Sequence, residues 1–169
     1  DLKAADRQYQ SSIKRFSRSD RVENARLNLA MIAEREERWS DASSIYERFY
    51  YSQPSDPLTP LAKSRLDELV KEKRATPASL KSRLRRIDKL LSMRSINAVK
   101  EELGQIEPMV KSRKERYEVM FRRAQLAYRQ GLFDEAILLF RTLSDKQGRS
   151  NWYSNQRWLA RCYSTKGDV

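Results

Sequence analysis

Residues 117–143, YEVMFRRAQLAYRQGLFDEAILLFRTL, decide the fold of this chain. Two runs with periodic apolar residues flank a short turn, Arg129-Gln130-Gly131-Leu132. In both runs apolar residues recur at three- and four-residue steps, which is the spacing of one face of an α-helix. They are Met120, Phe121, Ala124, Ala127 and Tyr128, then Phe133, Ala136, Ile137, Phe140 and Leu143. The pattern predicts two amphipathic helices joined by a glycine-assisted tight turn and packed on each other.

A second copy of this pattern lies 94 residues earlier in the chain. Four positions match in one register: Ala30 with Ala124, Trp39 with Phe133, Ala42 with Ala136, and Tyr46 with Phe140. Glu37 stands where the later copy has Gly131, so we expect the earlier turn to be less favourable. Pro54 closes this first unit.

Further apolar stripes predict helices over about 2–17, 60–74, 77–92, 95–107 and 151–167. Thr59-Pro60 and Thr76-Pro77 are typical helix starts, because proline is tolerated at the first helical position. Three prolines within residues 53–60 make the clearest break in the chain. No aromatic residue occurs between Tyr51 and Tyr117, so the pattern is degenerate there.

The helical hairpins resemble tetratricopeptide repeats, modules of about 34 residues that stack side by side. Aligning Gly167 with Gly131 gives a repeat step of 36 residues. The resemblance implies an all-α fold, a right-handed α-solenoid of tetratricopeptide-like antiparallel helix hairpins with about nine helices. We expect residues 1–169 to form a single helical-repeat array, with tetratricopeptide-like parts at 1–54 and 113–169 and a degenerate part at 55–112. The last helix lacks a partner, so we expect the chain to be a fragment of a longer protein.

The net charge of +12 is unevenly distributed. Residues 1–70 hold 12 Lys or Arg and 12 Asp or Glu, whereas residues 71–169 hold 23 and 11. Two interpretations stay open. The cations can line solvated helix faces, where their stems cover apolar surface. They can equally form a surface for an acidic partner, either nucleic acid, an anionic polymer or an acidic protein.

Catalytic and metal-binding residue patterns are absent from the sequence. There is no His and one Cys, which excludes Ser-His-Asp and Cys-His catalysis and Cys-based metal sites. Glu36-Glu37 and Glu101-Glu102 are interpreted as solvated charge, since neighbours on a helix point in different directions. Cys162 and the aromatic residues Trp39, Phe133, Phe140 and Trp158 are interpreted as core. We therefore predict no catalytic, metal or cofactor residues, and no run of apolar residues is long enough to span a membrane.

The order of segments from Arg83 onward, LRRIDKLL, NAVKEEL, RRAQLAYRQGLFDEAILLF and RWLARCYSTKGD, has a narrower resemblance. It is similar to the non-catalytic α-superhelical arm of bacterial soluble lytic transglycosylases, over roughly residues 80–168. That resemblance implies a periplasmic location, peptidoglycan as a partner, and a catalytic domain elsewhere in a parent chain. The family's catalytic Glu-Ser motif has no counterpart here, so no catalytic residue is carried over. The single cysteine is compatible with periplasm and cytoplasm alike.

Three functions fit the sequence. One is a non-catalytic scaffold arm that contacts other domains of a parent chain. Another is a stand-alone adaptor that binds a protein or peptide partner. In the tetratricopeptide family the first helices line the concave face, which puts five residues toward the carboxylates of an acidic tail: Arg122, Gln125, Arg129, Arg157 and Arg161. The third is RNA binding, which is disfavoured because no aromatic residue interleaves with the cations of 71–94.

Overall fold

The architecture is seen in a computed structural model that describes residues 2–15, 21–147 and 149–167. These residues contain nine α-helices and no β-strand, so the all-α prediction is confirmed. The helices are α1 (Leu2–Arg15), α2 (Arg21–Arg35), α3 (Trp39–Ser52), α4 (Thr59–Lys71), α5 (Leu80–Ser92), α6 (Ile96–Ile106), α7 (Arg113–Arg129), α8 (Phe133–Gln147) and α9 (Arg149–Lys166). A 3₁₀ turn, Glu107–Met109, follows α6.

The chain forms two compact units, residues 1–79 and residues 80–169. In the first unit α1 to α4 pack in chain order, each helix on the next. In the second, α5 packs on α6, α7 packs on both of them, and α8 packs on both α7 and α9. Consecutive packing of this kind is the solenoid-like arrangement that the repeats predict. The partition into 1–54, 55–112 and 113–169 stays a prediction.

The hairpin that decides the fold forms as predicted. Ala124 and Ala136 are fully buried, which lets the backbones of α7 and α8 approach closely. Phe140 is also fully buried, and its ring centroid lies 5.7 Å from that of Phe121 in an edge-to-face arrangement. Gly131, between the helices, has φ +78°, a left-handed conformation that glycine adopts without steric cost.

The earlier copy reproduces this hairpin in the predicted register. Ala30, Ala42 and Tyr46 are fully buried, like their counterparts 94 residues later. Glu37 has φ +59° and so occupies the left-handed position of Gly131. Of the aromatic residues assigned to the core, Trp39, Phe133 and Trp158 are half-buried rather than fully enclosed. The two hairpins therefore share their small-residue contacts and their turn, although the turn residues differ.

Backbone hydrogen bonds at the helix ends show that the two turns are the same structure. After α2, the N–H of Arg38 donates to the carbonyl of Ala33 over 2.8 Å. After α7, the N–H of Leu132 donates to the carbonyl of Ala127 over 2.9 Å. Each is the six-to-one bond of a Schellman motif, which satisfies a carbonyl that the helix end would otherwise leave unpaired.

This cap recurs beyond the two recognisable hairpins. Five helices, α2, α4, α5, α7 and α9, are followed by a residue with positive φ: Glu37, Lys73, Arg94, Gly131 and Gly167. The first two are 36 residues apart, and so are the last two, which is the step predicted from the sequence. Lys73 and Arg94 place the cap inside the degenerate part, where the sequence pattern did not reveal it.

The helix boundaries differ from the prediction at one start signal. Thr76-Pro77 precedes a non-helical segment, and α5 begins at Leu80. Ser95 stands at the N-cap position of α6, as its place in the sequence predicts, but makes no side-chain cap bond. The predicted cap at Ser19-Asp20 lies outside the described residues. None of the described helices is both long and apolar enough to cross a bilayer.

The interpretation of Glu101-Glu102 as solvated charge is wrong for Glu102. This residue is buried, and its Oε1 accepts a hydrogen bond from Nε of the buried Arg86 over 3.0 Å. Glu101, one position away on α6, is exposed as predicted. Cys162 is fully buried, as expected for a core residue, and burial raises the pKa of its thiol.

Alanine should have opposite effects on stability at Gly131, which lies in a cap, and at Gly104, which lies inside a helix. At both positions an added Cβ would meet no neighbouring atom within 4 Å. Gly131→Ala should lower the free energy of unfolding by about 1 kcal/mol, because alanine is strained at positive φ. Gly104→Ala, inside α6, should raise it by roughly 0.5–1 kcal/mol through helix propensity. Urea denaturation followed by circular dichroism measures both.

The converse substitution tests the earlier turn. Glu37→Gly should raise the free energy of unfolding by about 0.5–1 kcal/mol, since glycine relieves the left-handed strain at that position. A loss of stability in Glu37→Gly would contradict the prediction for this turn. Equal effects of alanine at Gly131 and Gly104 would contradict the prediction that positive φ disfavours alanine at Gly131.

Candidate interaction surfaces

The five residues predicted to line the concave face lie on two helices that meet in the second unit. Arg122, Gln125 and Arg129 belong to α7, and Arg157 and Arg161 belong to α9. The two helices are joined through Tyr128. Its ring centroid lies 5.4 Å from that of Trp158, and its hydroxyl oxygen lies 3.2 Å from Oγ1 of Thr165.

Arg122 is held by neighbouring groups and only 15 % of its side chain is exposed. Its Nη2 donates to Oδ2 of Asp88 over 2.7 Å, and its Nη1 donates to the carbonyl of Glu118 over 2.9 Å. The guanidinium therefore ties α7 to α5. Arg122 therefore has a structural role in holding α7 against α5, which the sequence did not indicate.

The other four residues predicted to line the concave face are more accessible to solvent. Arg129 and Arg157 are exposed, and Gln125 is half-buried. Arg161 is also exposed and its guanidinium lies over the ring of Trp158, 5.1 Å from the centroid. A cation held over an indole face is oriented by the ring quadrupole. A role for these residues in binding carboxylates stays a prediction.

A cavity of about 580 Å³ lies in the first unit, on the face formed by α2 and α4. Its apolar lining includes Met31, Trp39, Leu61 and Leu69. Met31 and Leu61 are 36 % and 41 % exposed, unusually open for large apolar side chains. Leu61 belongs to the apolar stripe predicted over 60–74, but it is open whereas Ala62, Leu66 and Leu69 of that stripe are buried.

A hydrogen-bond network around Glu34 forms one side of this cavity. The carboxylate accepts from the hydroxyl of Tyr46 over 2.9 Å and from Nε of Arg65 over 3.2 Å, and Nη2 of Arg65 makes a further ion pair with it. Nη1 of Arg65 donates to Oε2 of Glu68 over 2.7 Å. One carboxylate on α2 thus joins α3 and α4, and fixes the separation of the two helices that flank the cavity.

The pKa values of Tyr46 and Arg65 are shifted by their surroundings in this network. Burial raises the pKa of the Tyr46 hydroxyl, and its hydrogen bond to Glu34 raises that pKa further, because an ionised phenol would meet a carboxylate. The hydrogen bond to Glu34 likewise raises the pKa of Arg65. Tyr46 therefore stays protonated and keeps donating at physiological pH.

The other end of the cavity is formed by the residues that follow α4. Lys73 has φ +60°, and the chain turns there so that the N–H of Arg74 donates to the carbonyl of Leu69 over 2.8 Å. The Arg74 guanidinium lies over Trp39, 4.0 Å from the ring centroid, and its Nε is 3.2 Å from Oε2 of Glu72. The left-handed cap at Lys73 thus positions the Arg74 guanidinium at the rim of the cavity.

The comparisons with known proteins give no family or relative for this chain. No protein-family profile matches it, and no curated protein or solved structure matches it either. Within residues 2–15, 21–147 and 149–167, no three His, Cys, Asp or Glu side chains come together as a metal site would require. The geometry of these surfaces is therefore the basis for assigning them a function.

The raised pKa of Tyr46 predicts a pH effect on stability. The fold favours the neutral phenol, so this contribution is complete below the ordinary tyrosine pKa near 10 and is lost as the pH rises above it. Tyr46→Phe should make the decline of unfolding free energy above about pH 10 shallower, by up to about 1.4 kcal/mol per pH unit.

Urea denaturation at several alkaline pH values measures this slope. Tyr153→Phe, which removes a hydroxyl from a residue that is 73 % exposed, is the matched control. Equal changes of slope in the two variants would contradict the prediction.

Proposed function

We propose that this chain is a helical-repeat interaction domain, a scaffold that binds a protein or peptide partner and performs no catalysis itself. The cavity between α2 and α4 carries the proposal. It is open, it exposes Met31 and Leu61 to solvent, and a partly buried network holds its walls at a fixed separation. A preformed groove of this kind lowers the entropic cost of ordering a ligand.

The position of the cavity supports a tetratricopeptide-like interpretation. The caps after α2 and α4 are at Glu37 and Lys73, one repeat step apart, so the two helices are equivalent members of successive repeats. In the family that the sequence resembles, the first helices of the hairpins line the concave, ligand-binding face. By that resemblance, the cavity lies where a bound segment is expected.

The lining of the cavity suggests the kind of segment that binds. Its charged residues are three arginines and three glutamates, namely Glu34, Arg35, Arg65, Glu68, Glu72 and Arg74. Several of them already pair with each other, so the surface has little net charge to select a strongly charged ligand. We propose that apolar side chains of a partner, or of another domain of the same parent chain, provide most of the affinity.

A second candidate is the superhelical arm of a periplasmic peptidoglycan lytic transglycosylase. The segment order that resembles this family covers about 80–168, and the second compact unit also begins at Leu80. Residues 80–169 hold 20 Lys or Arg against 10 Asp or Glu, which suits an anionic cell-wall polymer. These observations favour the arm without identifying a catalytic residue in the chain.

An introduced charge in the α2 and α4 cavity should weaken peptide binding selectively. Peptides selected from a random display library against the full chain should bind Leu61→Asp and Met31→Asp at least about tenfold more weakly, because a carboxylate would face their apolar side chains. Leu138→Asp, at a 66 % exposed position on α8, is the control and should bind unchanged. Peptides whose affinity is insensitive to the first two substitutions would place the site elsewhere.

The transglycosylase candidate makes a separate prediction about the gene. The complete reading frame should encode an export signal and a lysozyme-like domain with a Glu-Ser motif. Determining that frame checks both, and a frame with neither would eliminate this candidate while leaving the interaction domain intact.

A further inference from the structure

A smaller groove of about 330 Å³ lies in the second unit, beside α7. Its apolar lining consists of Val110, Val119, Met120 and Leu139, from the loop after the 3₁₀ turn, from α7 and from α8. The charged lining residues are Glu107, Arg116 and Arg123. Its volume is at the lower end of ligand pockets, which are about 300–1,000 Å³.

The two arginines mark the groove at regular helical spacing. Arg116 and Arg123 are seven residues apart, so they lie on the same face of α7, about 10 Å apart along its axis. Between them lie Val119, which is buried at the base of the groove, and the half-buried Met120. The groove is thus an aliphatic strip about two turns long with a guanidinium at each end.

The start of α7 holds this strip in place. Ser112 Oγ accepts from the N–H of Glu115 over 3.1 Å, and the Glu115 carboxylate accepts from the N–H of Ser112 over 2.8 Å and of Lys111 over 2.9 Å. These bonds form a capping box and lower the pKa of the Glu115 carboxyl. Glu115 is therefore engaged with the backbone instead of pairing with the cations around it.

Positive charge surrounds the Arg116 end of the groove. Lys111, Arg113, Lys114 and Arg116 are all exposed, and Glu115 is the single carboxylate in that segment. At the other end Arg123 pairs with Glu107, and these side chains are 46 % and 54 % exposed. An ion pair so exposed contributes only about 0–1 kcal/mol, so an incoming carboxylate can compete for Arg123.

We propose that this groove docks an acidic amphipathic helix of a partner protein. The apolar stripe of that helix covers the half-buried Val110, Met120 and Leu139, and two of its carboxylates, seven residues apart, bind Arg116 and Arg123. Guanidinium groups bind carboxylates through paired hydrogen bonds, which fixes the register of the docked helix. The groove is separate from the α2 and α4 cavity, and the proposal does not rest on the function assigned to that cavity.

The chemistry of the lining favours a helix over nucleic acid. Base stacking requires exposed aromatic faces, whereas the lining residues of this groove are aliphatic, thioether or charged. A helix laid in an apolar groove is anchored at i, i+3, i+4 and i+7, which matches both the length of the strip and the spacing of its arginines.

The test uses the full chain and a fluorescein-labelled synthetic helix of about five turns, with leucines on one face and glutamates seven residues apart on its flank. Fluorescence anisotropy measures binding. Arg116→Glu combined with Arg123→Glu should weaken it at least about tenfold. Lys81→Glu combined with Arg85→Glu, which changes the net charge equally at exposed positions on α5, should weaken it less than about threefold.

A gain of affinity provides the opposite arm of the test. Glu107→Gln frees Arg123 from its ion pair and removes a negative charge that repels the carboxylates of the peptide. The acidic helix should therefore bind about two- to fivefold more tightly. A peptide with lysines in place of the two glutamates should bind the Arg116→Glu, Arg123→Glu variant better than the wild type, and a peptide with serines in place of leucines should lose binding to the wild type.

Three results would overturn the proposal. Equal weakening by the α5 and α7 charge reversals would mean that bulk electrostatics accounts for binding. Retained affinity after the leucines are replaced would mean that the apolar strip is unused. Displacement of the labelled helix by a short RNA or DNA duplex that itself requires Arg116 and Arg123 would assign the surface to nucleic acid.

Discussion

The left-handed residue that follows each first helix is the constraint on which the repeat depends. A helix can reverse direction within three residues only if its last carbonyls find partners and the backbone leaves the right-handed region. The chain does this after α2, α5 and α7 with a six-to-one bond at a left-handed residue, and only Gly131 of the three is a glycine. Glu37 and Arg94 each carry a local cost of roughly 1–2 kcal/mol, which burial of the adjoining hairpin offsets.

The cap also determines which side chains lie on the candidate interaction surfaces. Because the turn after α4 is fixed, Arg74 comes to lie over Trp39 at the edge of the larger cavity. At the start of α7 the capping box has a comparable effect, since it occupies Glu115 and leaves the neighbouring cations without that carboxylate as a partner. In both places the way a helix ends or begins determines which charged side chains remain available on the surface.

The sequence was sufficient where local periodicity and tertiary packing agree. The hairpin at 117–143 and its copy with Ala30 and Ala42 follow from apolar spacing and small residues, and their burial was predicted correctly. The caps at Lys73 and Arg94 could not be inferred in this way, because neither residue type signals positive φ. The start of α5 at Leu80 shows the complementary error: Thr76-Pro77 does not start a helix, and the flanking Ala75 and Ala78 pack against the core of the first unit.

The surfaces were harder to predict because each depends on residues distant in sequence. Arg122 looks like an exposed groove residue until Asp88, 34 positions earlier, is placed beside it. Leu61 looks like a core residue until the orientation of α4 leaves it open. Helical periodicity specifies which residues share a face, but whether that face is covered depends on how the next helix crosses it.

The buried pair formed by Arg86 and Glu102 has a consequence for the pairing of α5 with α6. Leucine and isoleucine contacts alone tolerate slippage of one helix along another by a turn, since one aliphatic side chain replaces another. A charged pair shielded from water tolerates no such shift, because separating it would strand two ions at a cost of about 3–5 kcal/mol. In the part of the chain with the weakest repeat signal, this pair therefore selects a single alignment.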